Sequence, residues 1–412
     1  MNRPAPLTPY PRALELIRTA IKPLDSEPLP LNAISGRYLA KSVKARFASP
    51  RFANSSMDGF AVRTTDLSGA GPKAPVTLQI IGEIPAGSDR SLTLKPGQAV
   101  RVFTGGRLPR GADAVAMVEI VEDRGDCAVL RTAVPQGNHI RPVGSEYRRG
   151  DVILPAGMKV TPPVIGVLAS LGLSEVAVGR APRVMVITMG EELVPAGTRL
   201  AAGQVRDANG PALQAALYAL GAAKAWVRRV GDRPSALKGS LTAAIARSDL
   251  VITVGGASVG DHDHARAVRD ELGIREQYTR LAVKPGKPSM FGLAPGGVPV
   301  FALPGNPVSA LVGFHQLVGP ALRVMMGGGF SPPRSLPIAL EKPLPRARMR
   351  TEWLRGNIEI QDGALVARPG GKQESHMLSG LARADVLIEI PQGDGELPQG
   401  ESITVYPLDW WD

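Results

Sequence analysis

Residues 249–264, which read DLVITVGGASVGDHDH, combine the residue types needed to hold a phosphate or another oxyanion. Leu250 to Val254 is a short apolar run typical of a strand buried on both faces, and Gly255 and Gly256 follow it directly. Glycines let the main chain turn sharply and point N–H groups at an anion, and the helix predicted from about Asp261 to Leu272 adds its positive end.

Two carboxylates, Asp261 and Asp263, lie in the same turn. Negative charge beside an anion cradle indicates a bridging cation, and a hard divalent ion such as Mg²⁺ suits oxygen ligands. Helix capping by the same aspartates is the alternative interpretation, and this run of residues does not choose between the two.

Strands and helices alternate around this stretch between residues 182 and 327. Short connections between alternating elements predict a parallel sheet covered on both faces, with ligands at the carboxyl ends of its strands. The turns at those ends carry both signs of charge, which suits a metal-bridged phosphate or oxyanion, although a solvated surface carries the same mixture. The charged residues of this set are Glu192, Asp232, Asp263, Lys284 and Lys287.

Asn306 and Pro307 predict the start of another helix, because Asn is favoured at the N-cap and Pro at the first helical position. Ser309 lies in its first turn, where a hydroxyl and free N–H groups can hold a tetrahedral oxyanion. Helix capping alone would explain Asn306.

The flanking segments predict a multidomain α/β plus β protein. A helix over Tyr10 to Ile21 and another over Pro163 to Leu171 belong to a discontinuous elongated α+β linker domain. This linker domain is expected to consist of residues 1–45 and 141–179. The other expected domains are an inserted small β-rich domain at 46–140, a central doubly wound α/β domain at 180–328 and a C-terminal β barrel at 329–412. In the barrel, Arg350, Arg355 and Ser375 are candidates to reach a shared cleft.

Composition limits the choice of partner. The formal net charge of +11 favours anionic partners, but the basic residues form no dense tract, so no nucleic acid partner is expected. The single cysteine, Cys127, excludes an intramolecular disulfide. Without an apolar run of about 20 residues or a signal core, no membrane partner is expected and the protein is predicted to be cytoplasmic.

Motifs along nearly the whole chain resemble the successive signatures of the molybdopterin molybdenumtransferase family, the molybdenum insertases that include the E domain of gephyrin. They are MDGFAVR, VFTGGRLPRGADAV, IRPVGSE, TMGEEL, TVGGASVGDHD, LAVKPGKP, FALPGNPVSA and SHMLSGLARADVLIEIP. The central segment by itself also resembles molybdopterin adenylyltransferases, so the flanking domains favour the insertases.

The resemblance implies a homodimer whose active site lies between the α/β domain of one subunit and the inserted β domain of the other. The implied reaction hydrolyses adenylylated molybdopterin and inserts molybdenum from molybdate with the help of Mg²⁺, giving molybdenum cofactor and AMP. An upstream adenylyltransferase and recipient apo-molybdoenzymes are the implied protein partners. Two alternatives stay open: a molybdopterin adenylyltransferase, and a carrier or scaffold that binds finished cofactor without turnover.

The resemblance also assigns residue roles. The catalytic set is Asp58, Thr104, Glu192, Asp232 and Asp263, and the metal set is Glu192, Asp261 and Asp263. The residues expected to bind substrate or oxyanion are Gly255, Gly256, Ser258, Arg280, Lys284, Lys287, Asn306, Ser309, Arg350 and Ser375. Three positions depart from the family pattern: Glu146 for Asp, Arg280 for Lys, and Gln373-Glu374 where Gly is usual, which could alter the loop around Ser375.

Overall fold

The structure, a computed structural model of the 412-residue chain, describes residues 6–256, 262–346 and 349–408, and the main chain alone of residues 262 and 263. The chain forms two compact units, one made of Met1–Lys41 with Ala156–Asp412 and the other of Ser42–Pro155. The finer division into four domains stays a prediction.

The larger unit begins with helix α1 (Tyr10–Ala20), one residue shorter than predicted, and strand β1 (Ser26–Pro30). A proline in its first turn suits the start of α1, since the missing N–H has no intrahelical partner there. Ala13 and Ile17 lie four residues apart on one face of the helix and are fully buried, so this face anchors α1 in the core.

The smaller unit, Ser42–Pro155, consists mainly of short strands around a core that includes Phe60, Leu78 and Leu130. A sheet with the strand order β7-β4-β6-β5-β9-β8 forms its body, and two short antiparallel pairs, β10 with β3 and β11 with β2, complete it. The strands are β2 (Val43–Lys44), β3 (Asn54–Ser55), β4 (Gly59–Val62), β5 (Val76–Ile84), β6 (Gln98–Val102), β7 (Ala114–Met117), β8 (Val121–Asp123), β9 (Cys127–Leu130), β10 (Ile140–Arg141) and β11 (Val152–Leu154).

The chain returns to the larger unit with α2 (Pro162–Ser170) and β12 (Glu175–Gly179), which pairs with β1 in antiparallel fashion. An α/β region follows. Its strands are β13 (Arg183–Met189), β14 (Leu193–Val194), β15 (Val205–Arg206), β16 (Lys224–Val230), β17 (Leu250–Val254), β18 (Arg275–Tyr278), β20 (Met290–Leu293) and β21 (Pro299–Leu303). The short strand β19 (Val283–Lys284) also lies in this part of the chain but joins the sheet of the C-terminal region. The helices of the α/β region are α3 (Asn209–Ala219), α4 (Pro234–Arg247), α5 (His262–Glu271) and α6 (Pro307–Gly313).

The main sheet of this region has the strand order β16-β13-β17-β21-β20-β18. The first four strands are parallel, as predicted, whereas β20 and β18 at one edge run antiparallel. Successive residues of β17 face opposite sides: Ile252 packs in the cluster that holds α3 and α6, and Val251 in the cluster that holds α4 and α5. Helices therefore cover both faces, and the carboxyl ends of the parallel strands meet along one edge.

Helix α6 continues through a π-helical turn at Phe314–Val318 into α7 (Gly319–Met325). Among the described residues this combined helix, Pro307–Met325, is the one long and apolar enough to cross a membrane, and 83% of its apolar window is buried inside the protein. That degree of burial is typical of a core helix.

The C-terminal region is a closed barrel in which β24 pairs with both β25 and β26, completing the ring β24-β25-β22-β28-β26. The predicted barrel is confirmed. Its elements are β22 (Leu336–Leu340), β23 (Leu344–Pro345), β24 (Thr351–Gln361), β25 (Ala364–Pro369), α8 (Leu378–Leu381), β26 (Val386–Ile390), β27 (Glu396–Leu397) and β28 (Ser402–Pro407).

Candidate functional site

The loops that follow the parallel strands pack directly on one another. A Cβ on Gly255 would lie 2.6 Å from the carbonyl oxygen of Met189, so only glycine allows β17 to leave the sheet this close to β13. The Gly255 N–H donates to the carbonyl of Leu303 at the end of β21, at 3.2 Å. The predicted Gly255 and Gly256 therefore lie at the strand ends, among the loops that carry the other candidates.

Carboxylates gather at the ends of β13 and β16. The main-chain N–H of Glu191 donates to Asp232 Oδ2 at 3.3 Å, and the Glu191 carboxylate lies against Gly231. The carboxylate of Glu192 folds back over Gly190. The sequence indicated Glu192 and Asp232 but not Glu191, because adjacent glutamates in a turn carry no signal that tells which one faces its neighbours.

A buried aspartate fixes the start of α3 beside these loops. Asp207 Oδ1 accepts the Gly210 N–H at 2.9 Å, and its Oδ2 accepts the Thr188 hydroxyl at 2.9 Å. Asn209 then donates its side-chain N–H to the carbonyl of Gly305 at 2.7 Å, which ties α3 to the loop after β21. The contact of Asn209 with Gly305 was not predicted, since no sequence signal links a helix start to a turn 96 residues later.

A cavity of about 460 Å³ lies between the α/β region and the barrel. The residues predicted to bind oxyanion or substrate that line it are Lys284, Lys287, Asn306, Ser309, Arg350 and Ser375. Two carboxylates, Glu352 and Glu374, also line it. The cavity therefore presents cations and hydroxyls to a ligand, with carboxylates that offset part of the positive charge.

The first turn of α6 forms one wall of the cavity. Asn306 occupies the N-cap position, but its side chain makes no capping hydrogen bond, contrary to the expected N-cap role. It donates instead to Ser375 Oγ at 2.8 Å, while the Val308 N–H donates to the Ser375 carbonyl at 3.1 Å. The barrel loop thus satisfies the helix terminus, and Asn306 becomes a link between the two walls.

The two lysines of the cavity differ in their pairing. Lys284 is half exposed and its ammonium lies 3.2 Å from Glu352. Lys287 is half-buried and has no carboxylate partner among the described residues. Lys287 is therefore the cation more available to an incoming anion, since Lys284 is already partly neutralised.

The barrel wall depends on Arg355, which is only 3% exposed. Its guanidinium donates to the carbonyls of Lys372 and Met377, both at 2.8 Å, and to Gln373 Oε1 at 3.3 Å. Gln373 in turn donates to the carbonyls of Arg355 and Gly370, both at 3.0 Å. Burial lowers the pKa of Arg355, which Glu374 partly opposes.

Arg350, Arg355 and Ser375 were expected to share a cleft. Arg350 and Ser375 do line the same cavity, but Arg355 does not, so the expectation was wrong for Arg355. Its side chain points beneath the loop and braces the segment that carries Ser375. Gln373, one of the positions that departs from the family pattern, completes that brace rather than disturbing it.

In the smaller unit, Asp58 and Thr104 form a pair. The main-chain N–H and the hydroxyl of Thr104 both donate to Asp58 Oδ1, at 2.7 and 2.9 Å. These hydrogen bonds, the main-chain one first, lower the pKa of the Asp58 carboxyl. The resemblance named both residues, but their separation in sequence gave no sign that they touch.

Of the remaining predicted residues, the structure describes the side chain of Arg280 alone. Arg280 is half-buried and is absent from the described lining of the cavity. Ser258 and Asp261 lie outside the described residues, as does the side chain of Asp263.

Comparisons with known proteins identify the family to which this fold belongs. The chain matches the MoeA N-terminal region (domain I and II) over residues 8–172, a probable molybdopterin binding domain over residues 185–324 and the MoeA C-terminal region (domain IV) over residues 337–408. The three matches thus define a protein of several regions whose α/β region corresponds to a probable molybdopterin binding domain.

Individual relatives narrow the identification. The chain is 36% identical over 390 residues to molybdopterin molybdenumtransferase 2 of Mycobacterium tuberculosis strain H37Rv, covering 92% of this chain and 94% of the relative. It is 35% identical over 390 residues to the molybdopterin molybdenumtransferase of Haemophilus influenzae, covering 94% and 95%. A crystal structure of the molybdopterin biosynthesis protein moeA from Pyrococcus horikoshii matches with a TM-score of 0.83 and 27% identity, covering 98% and 100%.

The chain belongs to the molybdopterin molybdenumtransferase family. It is accordingly a transferase of molybdenum in molybdenum cofactor biosynthesis, with molybdopterin and molybdate as its substrates. The predicted family and fold class are confirmed.

Proposed function

We propose that the enzyme accepts adenylylated molybdopterin, hydrolyses the adenylyl group and inserts molybdenum from molybdate, releasing AMP. The observation that carries this proposal is the 460 Å³ cavity, which joins cations and hydroxyls to the loops at the strand ends. A tetrahedral dianion needs opposite charge and several donors, and both are available there.

Within the cavity, Lys287 supplies positive charge to the molybdate and Ser309 supplies a hydroxyl from a rigid helix start. Arg350 and Ser375 approach from the barrel side. Glu352 keeps Lys284 partly neutralised, so the anion is held loosely enough to be passed to the pterin. The metal itself is substrate, and the sulfur ligands it finally takes belong to the pterin.

The acidic residues at the ends of β13 and β16 act on the phosphoanhydride of adenylylated molybdopterin by holding Mg²⁺ beside it. Glu192 and Asp232 offer the hard oxygen ligands that Mg²⁺ prefers, which supports its use here. Among the described residues, no group of three or more His, Cys, Asp or Glu could hold a metal ion. Mg²⁺ commonly takes one or two carboxylates together with phosphate oxygens of the substrate, and Asp261 and Asp263, which the resemblance adds to the metal set, lie outside the described side chains. Mg²⁺ would supply charge neutralisation to the phosphoanhydride oxygens.

The proposal is tested with purified protein, adenylylated molybdopterin, molybdate and Mg²⁺, following AMP release and activation of an apo-molybdoenzyme. We expect molybdate-dependent AMP release, and a fall of roughly 10²- to 10³-fold in Lys287→Ala, because one charged donor to the reacting anion is lost. Lys224→Ala is the matched control, since Lys224 is an exposed lysine at the amino end of β16.

Two other results would replace the proposal. ATP-dependent formation of the adenylylated pterin would favour an adenylyltransferase, and tight cofactor binding without AMP release would favour a carrier. Equal activity of Lys287→Ala and Lys224→Ala would remove Lys287 from the site.

A homodimer, a cytoplasmic location, and exchange with an upstream adenylyltransferase and recipient apo-molybdoenzymes are part of the same proposal and rest on the resemblance. Light scattering of the purified protein measures the dimer. Mixing inactive Asp58→Asn chains with inactive Lys287→Ala chains tests the assignment of Asp58, because activity returns on mixing only if different subunits complement each other.

A further inference from the structure

A second cleft, of about 380 Å³, lies in the larger unit and shares no described lining residue with the 460 Å³ cavity. Its lining comes from several parts of the chain: residues 35–38, Lys159, the C-terminal end of α3, the π turn with α7, residues 331–334 and Pro407. Its size is within the range of small-molecule sites in proteins.

The cleft is basic. The cationic or titratable residues that line it are Arg37, Lys159, His315, Arg323 and Arg334, and its described lining contains no Asp or Glu. Arg37 is paired with Glu27 at 2.5 Å, but neither Lys159 nor Arg323 has a carboxylate partner among the described residues. Lys159 and Arg323 therefore keep their positive charge for a ligand.

Specific contacts hold the basic side chains of this cleft in position. The Arg323 guanidinium lies over the ring of Tyr38, 5.8 Å from its centroid, and its Nε donates to the carbonyl of Gly328. A Cβ on Gly328 would lie 2.5 Å from the Tyr38 ring and 2.8 Å from Arg323 Cγ, so glycine is required where the chain passes this pair. Arg37 Nε is buried beside them without a hydrogen-bond partner.

The rest of the lining is partly apolar, beside the hydroxyls of Ser35 and Ser331. Tyr218, 46% exposed at the end of α3, lines the cleft together with the Pro332-Pro333 pair. Rings of this kind stack on planar groups, whereas Arg and Lys bind phosphate oxygens. A ligand that combines a planar ring with a phosphate satisfies both parts of the lining.

Two helices run between this cleft and the loops of the catalytic region. Asn209 at the start of α3 holds Gly305, while Tyr218 near its end lines the cleft, about 14 Å further along the helix axis at 1.5 Å per residue. The combined helix Pro307–Met325 carries Ser309 in its first turn, and its π turn and α7 line the cleft. π turns are frequent at functional sites, which agrees with ligand binding here.

We propose that this cleft is a second ligand site that binds a small phosphate monoester carrying a planar ring, of the size of a mononucleotide. The inference is independent of the function proposed above, since it rests on residues outside that cavity.

The test is calorimetric titration of the full chain with AMP, adenosine and inorganic phosphate, without molybdopterin. We expect AMP to bind more tightly than adenosine or phosphate. Lys159→Glu and Arg323→Ala should each weaken AMP at least about tenfold, the effect of losing one charge-assisted contact. Lys159→Glu leaves in place both the contact of Arg323 with the Tyr38 ring and the Arg323–Gly328 hydrogen bond, so it keeps the test valid if Arg323→Ala unfolds.

Two controls separate this cleft from the catalytic cavity and from general charge effects. Lys287→Ala alters the other cavity, and Arg247→Ala removes an exposed positive charge on α4; we expect both to leave AMP affinity at the cleft unchanged. The inference is overturned if AMP fails to bind up to millimolar concentration, if Lys159→Glu has no effect, or if Lys287→Ala abolishes all AMP binding. The insertion assay tests the proposed function and the AMP titration tests the second cleft. A failure of one proposal therefore does not change the result expected for the other.

Discussion

The two walls of the 460 Å³ cavity are positioned in different ways. On the α/β side, Ser309 lies in the first turn of α6, where the helix's own hydrogen bonds fix the main chain. Lys287 lies in the loop between β19 and β20, and its carbonyl accepts the Leu281 N–H at 2.8 Å. On the barrel side, Ser375 lies in a loop, and a buried guanidinium with one glutamine amide determines its course. One wall is thus supported by many main-chain contacts and the other by two side chains.

This difference indicates where the site is vulnerable. Removal of a side chain from the α/β wall should cost that side chain's own contacts. Removal of Arg355 should displace a whole segment, because the carbonyls of Lys372 and Met377 lose their donors together.

The largest effect is therefore expected for Arg355→Met. The substitution leaves buried carbonyls without donors and should lower the free energy of unfolding by about 3 kcal/mol. The displaced Ser375 should also raise the KM for molybdate at least about tenfold, for the loss of one charge-linked contact. Urea unfolding and the AMP-release assay measure the two effects.

Arg368→Met is the control for Arg355→Met, because Arg368 is a half-exposed arginine of the same barrel that pairs with Glu341 and Glu359. A folded Arg355→Met protein with an unchanged KM would show that the loop keeps its course without the guanidinium, and the contrast between the two walls would be lost.

The same contrast explains what the sequence predicts. The strand Leu250–Val254 and the helix start at Pro307 were predicted at the residues where they are found, because a β-branched run, glycines and an Asn-Pro pair are local signals. The antiparallel edge strands β20 and β18 were missed, since strand direction depends on the connection and not on the strand's own residues.

The role of Arg355 was harder to predict. Trp353 lies two residues before Arg355 on β24, so both side chains are on the same face of the strand, and both are buried. This two-residue spacing from an apolar side chain is the local sign that Arg355 points inward. Its partners, Gln373 and the carbonyls of the loop, lie about 20 residues further along, and no spacing rule connects a strand arginine to such a loop. Side chains that act on distant main-chain groups become visible only in the folded protein.

A medium effect, on stability alone, is expected for Asp249→Asn. Asp249 precedes β17 at the edge of the sheet opposite the loops, is 9% exposed, and accepts hydrogen bonds from Arg180 at 2.9 Å and from Arg183. Burial raises the pKa of its carboxyl, but the bonds from Arg180 and Arg183 outweigh burial and hold the pKa well below the usual range. The substitution should lower the free energy of unfolding by about 2 kcal/mol.

Because the folded-state pKa is depressed, this stabilisation is present above the ordinary aspartate pKa of about 3.9 and is lost as pH falls toward the folded-state value. The stability difference between wild type and Asp249→Asn should therefore be constant at neutral pH and shrink below about pH 4. The KM for molybdate should not change, because the strand ends are fixed by the whole sheet. A raised KM would show that the α/β wall is as dependent on single side chains as the barrel wall.

The smallest effect is expected for Asn306→Ala, which tests the link between the walls. The substitution removes the 2.8 Å bond to Ser375 Oγ, but Arg355 and Gln373 still brace the loop, and the Val308 N–H still reaches the Ser375 carbonyl. We expect a loss of about 1 kcal/mol at most, seen as a rise in KM of a few fold with kcat nearly unchanged. The double variant Asn306→Ala with Ser375→Ala should then be no worse than Ser375→Ala alone, because the two side chains act through one bond. Additive losses would mean that Asn306 contacts the substrate itself rather than orienting Ser375.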